Sequence, residues 1–268
     1  MDVCTDSSTA VCLKECLCQR EPVFRARQVH CVEVEDEPSH PELFRTPWVR
    51  VYAGILATGN CTLYHRHRRD TLYLTLRDAC LWNEYFVDPS LQDARTEVYR
   101  HDARRHEVFG RWHARDRTPL VHRVCYRRED AEQGLTTSGS ASPTSLFVGI
   151  EFLEYPSAFC GHKAASVQSI EAVAERIPEP VCDRMRLWCL RKGVSALQLP
   201  FSGILVDWNT PLDERWNTTD IAHLTALTKE RVRFFQAGEN MRDLVVGTLV
   251  VELRPYMETS EDVLPNQA

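Results

Sequence analysis

The segment from Gly59 to Thr75 constrains this chain most, because it places two histidines at the start of an alternating β pattern. His65 and His67 are separated by one residue, so on a strand both project from the same face, with Cβ atoms roughly 7 Å apart. Two imidazoles at that spacing can reach one metal ion at about 2.0–2.1 Å per bond. The neighbouring arginines leave a basic surface ribbon as the alternative for this pair alone.

The residues that follow support an interior position for the histidine pair. The alternation puts one set on the histidine face, namely Thr71, Tyr73 and Thr75, and the other set on the opposite face, namely Leu72, Leu74 and Leu76. A third candidate ligand, His122, lies in another short apolar run after the turn-prone Thr118-Pro119. Three histidines on strands favour a metal site inside a sheet over a surface ribbon.

These residues resemble the two motifs of the cupin superfamily. Gly59, His65 and His67 match the first motif, G-x5-H-x-H-x(3,4)-E-x6-G, in register, and His122 resembles the histidine of the second, P-x-G-x-x-H-x3-N. The strings YHRH…D and PLxHxV are shared with uncharacterised cupin-like proteins of plants and algae. The resemblance implies a mostly β fold, with antiparallel barrels of the double-stranded β-helix or jelly-roll type and short helices.

The chain departs from both motifs. The second motif lacks its glycine and has Tyr126 where asparagine is usual, and the glutamate of the first motif falls on Thr71 or Leu72. Asp70 is one residue out of step with the histidines, so it projects to the other face of a regular strand. We therefore expect a three-histidine site, in which Asp70 hydrogen-bonds to a ligand imidazole from outside the ligand set.

Among cupins, this ligand set resembles that of the thiol dioxygenases, which hold ferrous iron. The resemblance implies Fe(II) as the cofactor, with zinc, manganese or nickel as alternatives, because imidazole also suits other transition metals. Tyr73, on the histidine face, is the candidate catalytic residue as a hydrogen-bond donor in the pocket. The expected partner is a small-molecule substrate or ligand.

The second half of the chain repeats the first weakly, which suggests a bicupin. Arg50-Val-Tyr-Ala-Gly-Ile-Leu aligns with Arg186-Leu-Trp-Cys-Leu-Arg-Lys, and Gly59 with Gly193. The positions of the three histidines are apolar in the repeat: Leu199, Phe201 and Met241. We therefore expect an N-terminal barrel with the metal site over 20–155, a connector over 156–184 and a degenerate, metal-free half over 185–256, with tails at 1–19 and 257–268.

Two short helices are expected outside the barrel strands. Apolar positions at 167, 170, 173, 174 and 177 have helical spacing and end before Pro178. A second short helix is expected from Asp220 to Leu227.

Composition restricts the partners and the compartment. The net charge of −6 argues against a general nucleic-acid binder, and no run of 18 apolar residues predicts a membrane span. The acidic N-terminus lacks the apolar core of a signal peptide, so we expect a cytoplasmic protein whose 11 cysteines stay thiols, Cys61 and Cys125 included. The Cys12, Cys16 and Cys18 cluster lacks the paired spacing of a zinc site, and its role stays open.

Three functions are compatible with these residues. The first is a mononuclear Fe(II) dioxygenase of a small organic substrate; the second is a non-redox cupin of the isomerase or lyase type. The third is a non-catalytic ligand-binding or scaffold protein, because a fold does not fix a function. Whether the protein forms homo-oligomers is also open, although cupin barrels often pair through their sheets.

Overall fold

The computed structural model describes residues 30–93, 95–111, 119–127, 143–153, 170–178 and 185–253. The Cys12, Cys16 and Cys18 cluster lies outside these ranges. Contacts divide the described chain into two units: residues 30–152 with 212–228, and residues 153–211 with 229–253.

The described residues of the first unit form ten strands. They are β1 (Cys31–Glu33), β2 (Glu42–Arg45), β3 (Val49–Ala57), β4 (Tyr64–His67), β5 (Thr71–Arg77), β6 (Ala79–Phe86), β7 (Thr96–Ala103), β8 (Val108–Arg111), β9 (Leu120–Tyr126) and β10 (Thr144–Phe152). They form two five-stranded sheets, in the orders β1-β4-β9-β6-β7 and β2-β3-β10-β5-β8. Within these sheets β1 pairs with β4 in parallel, and the other strand pairs are antiparallel.

The turn between β4 and β5 moves the chain from one sheet to the other. The histidine pair lies on β4 and the alternating leucines on β5, so the sequence pattern spans two strands rather than one. Tyr73 nevertheless faces the histidines, because its ring centroid lies 6.3 Å from that of His67. The space between the two sheets is therefore lined from both sides.

The described residues of the second unit form the other seven strands. They are β11 (Ala174–Ile177), β12 (Met185–Leu190), β13 (Val194–Gln198), β14 (Gly203–Val206), β15 (Val232–Phe235), β16 (Asn240–Leu244) and β17 (Leu249–Leu253). Five form a sheet in the order β11-β12-β17-β14-β15, and β13 pairs with β16. In this unit Leu199 and Met241 are buried in one apolar cluster, and Phe201 packs against it. The positions that align with the three histidines thus form part of a hydrophobic core.

The expected fold class, mostly β with antiparallel sheets, is confirmed. Among the described residues, however, the strands form separate sheets and do not close into barrels, because no backbone pairing joins the sheet edges. The described helices also do not include one long enough and apolar enough to cross a membrane.

One of the two predicted helices is correct. Helix α1 (Ile221–Arg231) covers the segment expected to be helical, and the Asp220 carboxylate caps it by accepting hydrogen bonds from the N–H groups of Ala222 and His223. The helix expected up to residue 177 is wrong over its described part, where a 3-10 turn (Ile170–Ala172) leads into β11. Short apolar runs fit both periods, and pairing with β12 provides the backbone hydrogen bonds that decide the outcome.

Candidate metal centre

Strands β4 and β9 bring three histidine side chains together between the two sheets. His65 and His67 alternate with Arg66 and so share a face, and His122 lies directly opposite His65 in the antiparallel register. The ring centroid of His65 is 4.9 Å from that of His67 and 4.6 Å from that of His122, and the third separation is 5.1 Å. One ring nitrogen from each lies within 4.8 Å of the others.

These separations fit three imidazoles around one ion. With a bond of about 2.1 Å, each ring centroid would lie roughly 3.2 Å from the metal and roughly 4.5–5.2 Å from its neighbours at ordinary coordination angles. The Nε2 atom of His65 is buried and forms no hydrogen bond with the described residues. Buried polar atoms almost always have partners, so this nitrogen is suited to a metal ion.

Burial also keeps the His65 imidazole in the neutral form that metal binding requires. Removal from water disfavours the imidazolium form and lowers the pKa of His65 to about 4, against a smaller opposing effect of the hydrogen bond with Leu63. The ring is therefore neutral at pH 7, as a metal-binding imidazole must be.

A hydrogen-bond relay orients His65. Its Nδ1 lies 2.9 Å from the carbonyl oxygen of Leu63, and a proton on Nδ1 leaves the Nε2 lone pair directed at the other histidines. The N–H of Leu63 in turn donates to Oε2 of Glu37 at 2.9 Å, while Oε1 accepts from the N–H of Ser39 at 3.0 Å. Glu37 is buried, and desolvation raises its pKa. Sequence reasoning missed Glu37, because nothing in the local pattern links it to residue 65.

Asp70, for which a similar orienting role was predicted, lies in the turn between β4 and β5. It is buried, and its main-chain carbonyl accepts a hydrogen bond from the N–H of Phe152. The contact that orients His65 comes from a backbone carbonyl instead. The side-chain role of Asp70 stays a prediction.

Tyr73 lies on the opposite sheet, with its hydroxyl group 3.4 Å from Nδ1 of His67. Its ring stacks on Phe109 with centroids 4.9 Å apart. Burial raises the pKa of Tyr73 to about 12, so the hydroxyl keeps its proton at pH 7. If a metal occupies Nε2 of His67, Nδ1 carries the proton and donates to the tyrosine oxygen.

His40, which no sequence motif indicated, is a fourth histidine at the site. It precedes β2, is only 4% exposed, and its ring centroid lies 4.8 Å from that of His65. Its buried Nδ1 forms no hydrogen bond with the described residues. Desolvation, helped by the nearby His65 and His122, holds the pKa of His40 well below its usual value. His40 is therefore a neutral imidazole beside the three-histidine cluster.

A cavity opens beside the cluster, with about 60 Å³ available to the centres of water-sized molecules. Both sheets contribute apolar side chains to its wall, including Leu81, Phe109, Leu120, Val124 and Phe147. Its polar wall includes Arg77, Tyr99, His101 and Arg111 in addition to the four histidines and Tyr73. A ligand in this cavity would contact the open side of the cluster.

The prediction that all cysteines stay thiols is wrong for one pair. Cys61 and Cys125 form a disulfide, because an antiparallel bridge places them directly opposite each other. Cys31, Cys80 and Cys189 keep their thiol groups among the described residues. Disulfides persist mainly in oxidising compartments, so the cytoplasmic location stays a prediction, and this pair argues against it.

The first unit defines the class of protein. Two facing, largely antiparallel sheets enclose the three histidines, so the first unit is a two-sheet β fold with a candidate three-histidine metal site.

Comparison with solved structures found cupins. A cupin domain from Bordetella pertussis is 18% identical, covers 42% of this chain and 90% of its own, and has a TM-score of 0.30. A cupin 2 conserved barrel domain protein from Leptotrichia buccalis is 11% identical over 80% of this chain and 81% of its own, with a TM-score of 0.26. An oxalate decarboxylase from Lactobacillus farciminis is 9% identical over 78% and 74%, also with a TM-score of 0.26. Likenesses at this level say nothing about the substrate or metal of this chain.

Comparison by sequence gave no relatives. A scan against protein-family models and a search of the curated proteins both found no match.

Proposed function

We propose that this protein is an Fe(II)-dependent oxygenase that acts on a small organic substrate. The observation that supports the proposal is the convergence of three buried imidazoles, His65, His67 and His122, beside a cavity. Three protein ligands leave coordination positions for a substrate and for dioxygen. A ferrous ion held by these histidines would supply the redox chemistry that dioxygen activation needs, whereas zinc, manganese or nickel would suit non-redox chemistry.

The surrounding residues have roles that follow from their positions. The apolar wall excludes bulk water, which strengthens electrostatic interactions inside the cavity. Tyr73, protonated at pH 7, is placed to donate a hydrogen bond to a substrate oxygen. His40 is a neutral imidazole whose buried Nδ1 can hydrogen-bond to a substrate group.

The first test is elemental analysis of protein purified without an affinity tag. The wild type is compared with a His65→Ala/His67→Ala double variant and with a matched His30→Ala/His223→Ala variant, which removes two exposed histidines instead. We expect near-stoichiometric metal in the wild type and the control and none in the first double variant. Protein reconstituted anaerobically with Fe(II) is then screened for dioxygen uptake with thiols and small organic acids.

The result selects among the candidate functions. Iron that depends on the two histidines, with substrate-dependent dioxygen uptake, supports the oxygenase. Zinc, manganese or nickel at the same histidines, with activity that persists without air, indicates a non-redox enzyme. Metal content equal in all three proteins would refute the metal site and leave a ligand-binding or scaffold protein.

A further inference from the structure

The cavity beside the histidines is cationic, although the whole chain carries a net charge of −6. Its described lining includes Arg77 and Arg111 but no aspartate or glutamate. His101 also lines it and is paired with Glu107 at 3.0 Å, so any charge on that ring is already compensated. The two guanidinium groups therefore determine the charge that a ligand meets, and a bound metal ion would add to it.

Arg111 is the arginine with unused hydrogen-bonding capacity. It lies at the end of β8, opposite Thr71, and its Nη2 donates to the hydroxyl of Tyr99 at 2.7 Å. Within the described part of the chain it has no carboxylate partner. A guanidinium has five N–H donors, so most of those of Arg111 remain available to a ligand.

Arg77, by contrast, is already held by protein oxygens. Its Nη1 donates to Oγ1 of Thr144 at 2.5 Å, and its Nη2 donates to the carbonyl of Trp216 at 2.8 Å. It also lies six residues along β5 from Thr71, the partner of Arg111, which corresponds to roughly 20 Å along the strand. The two arginines thus belong to different ends of the cavity.

Arg111 also lies at the end of the cavity close to the metal centre. It lies opposite Thr71, two residues from Tyr73 on β5, and the hydroxyl of Tyr73 is 3.4 Å from Nδ1 of His67. Phe109, two residues before Arg111 on the same face of β8, stacks on the ring of Tyr73. A ligand bound to Arg111 would therefore have an apolar surface beside it and the histidine cluster within reach.

We propose that the cavity binds a small organic carboxylate, whose charged group pairs with the guanidinium of Arg111 while its carbon chain packs along Phe109 towards the three histidines. A guanidinium matches a carboxylate with two parallel hydrogen bonds, which makes this pair stronger and more directional than a neutral contact. The inference names the substrate class for the proposed oxygenase and rests on that function only for the reaction, because the pairing with Arg111 needs no metal.

The cavity volume limits the size of the acid. One water-sized position needs about 10–15 Å³ by this measure, so the available 60 Å³ corresponds to about four to six such positions. A space of this size accommodates an acid of a few carbon atoms.

The test compares two probes of the same shape, butyrate and butyramide, which differ in charge. Their affinities are measured by ligand-observed NMR for protein loaded with Zn(II), which is redox-inert, and for metal-free protein. The variants are Arg111→Gln, which removes the charge, and Arg111→Lys, which keeps the charge but cannot donate two parallel hydrogen bonds to a carboxylate. Arg68→Gln is the matched control, because Arg68 is 58% exposed and pairs with Glu33.

We expect the wild type and Arg68→Gln to bind butyrate at least about tenfold more tightly than butyramide, the ratio for a charge-assisted hydrogen bond. Arg111→Gln should lose this preference, with or without zinc, and Arg111→Lys should keep part of it. The proposal is overturned if the wild type binds both probes equally, if the preference survives in folded Arg111→Gln, or if Arg68→Gln loses it equally. Absence of zinc binding, with the preference intact in metal-free protein, would refute the metal site and leave the carboxylate site standing.

Discussion

Reduction of the Cys61–Cys125 disulfide should destabilise the first unit by about 4 kcal/mol. The bond joins residues 64 positions apart. Closing a loop of that length removes roughly 14 cal/mol/K of chain entropy from the unfolded state, or about 4 kcal/mol at 25 °C. Cys125 lies on β9 with His122, and Cys61 lies shortly before β4 with His65, so reduction should also weaken metal binding.

The assay is urea unfolding of oxidised and reduced wild type, followed by tryptophan fluorescence. For a denaturant dependence of about 2 kcal/mol/M, a loss of 4 kcal/mol moves the midpoint of the first unit down by about 2 M. A Cys61→Ala/Cys125→Ala variant should unfold near the reduced wild type and be insensitive to reductant. Cys189→Ala, which removes a free thiol, should keep the response of the wild type.

Peptide mapping without reductant separates the two ways in which this reasoning can fail. If the map lacks a peptide that links Cys61 to Cys125, the pairing itself is wrong. If the link is present but both redox forms unfold at the same urea concentration, the entropic account of its contribution is refuted.

Three further perturbations have expected outcomes. Glu37→Ala removes the carboxylate that accepts from the N–H of Leu63, the residue whose carbonyl oxygen contacts His65, and should weaken Zn(II) binding about tenfold in a chelator competition; unchanged affinity would refute the relay. Gly149→Ala places a methyl carbon 2.3 Å from the ring of Tyr52 and should lower the free energy of unfolding by about 1–3 kcal/mol. Gly193→Ala, whose nearest atom would lie at 3.4 Å, should lower it less, and equal urea midpoints for the two variants would contradict this. The pKa of His65 is about 4 in the folded protein and 6.5 in the unfolded chain, so between these values the unfolded state binds the extra proton. The free energy of unfolding of metal-free protein should therefore fall by up to about 3 kcal/mol as the pH falls from 6.5 to 4. His65→Gln should show a smaller loss over the same range, and an identical pH dependence would contradict the assignment.

Much of the candidate site could be predicted because its residues follow the alternation of single strands. Residues two positions apart on a strand project from the same face, so His65 and His67 were expected to lie together. The apolar run around His122 indicated a second strand. The same rule placed Tyr73 on the histidine side, although the chain changes sheets between them. The alternation of side chains still predicts the inward-facing residues after such a turn when the two strands face the same interior.

The sequence alone therefore determined the fold class, the three converging histidines and the apolar residues at the corresponding positions of the second unit, because each depends on periodicity within one element. Tertiary structure alone decided the rest of the site. His40, Glu37 and Arg111 reach it from other segments, and Cys61 meets Cys125 only through strand pairing. Which residues meet across sheets depends on register and packing, and these are properties of the assembled strands that no local pattern encodes.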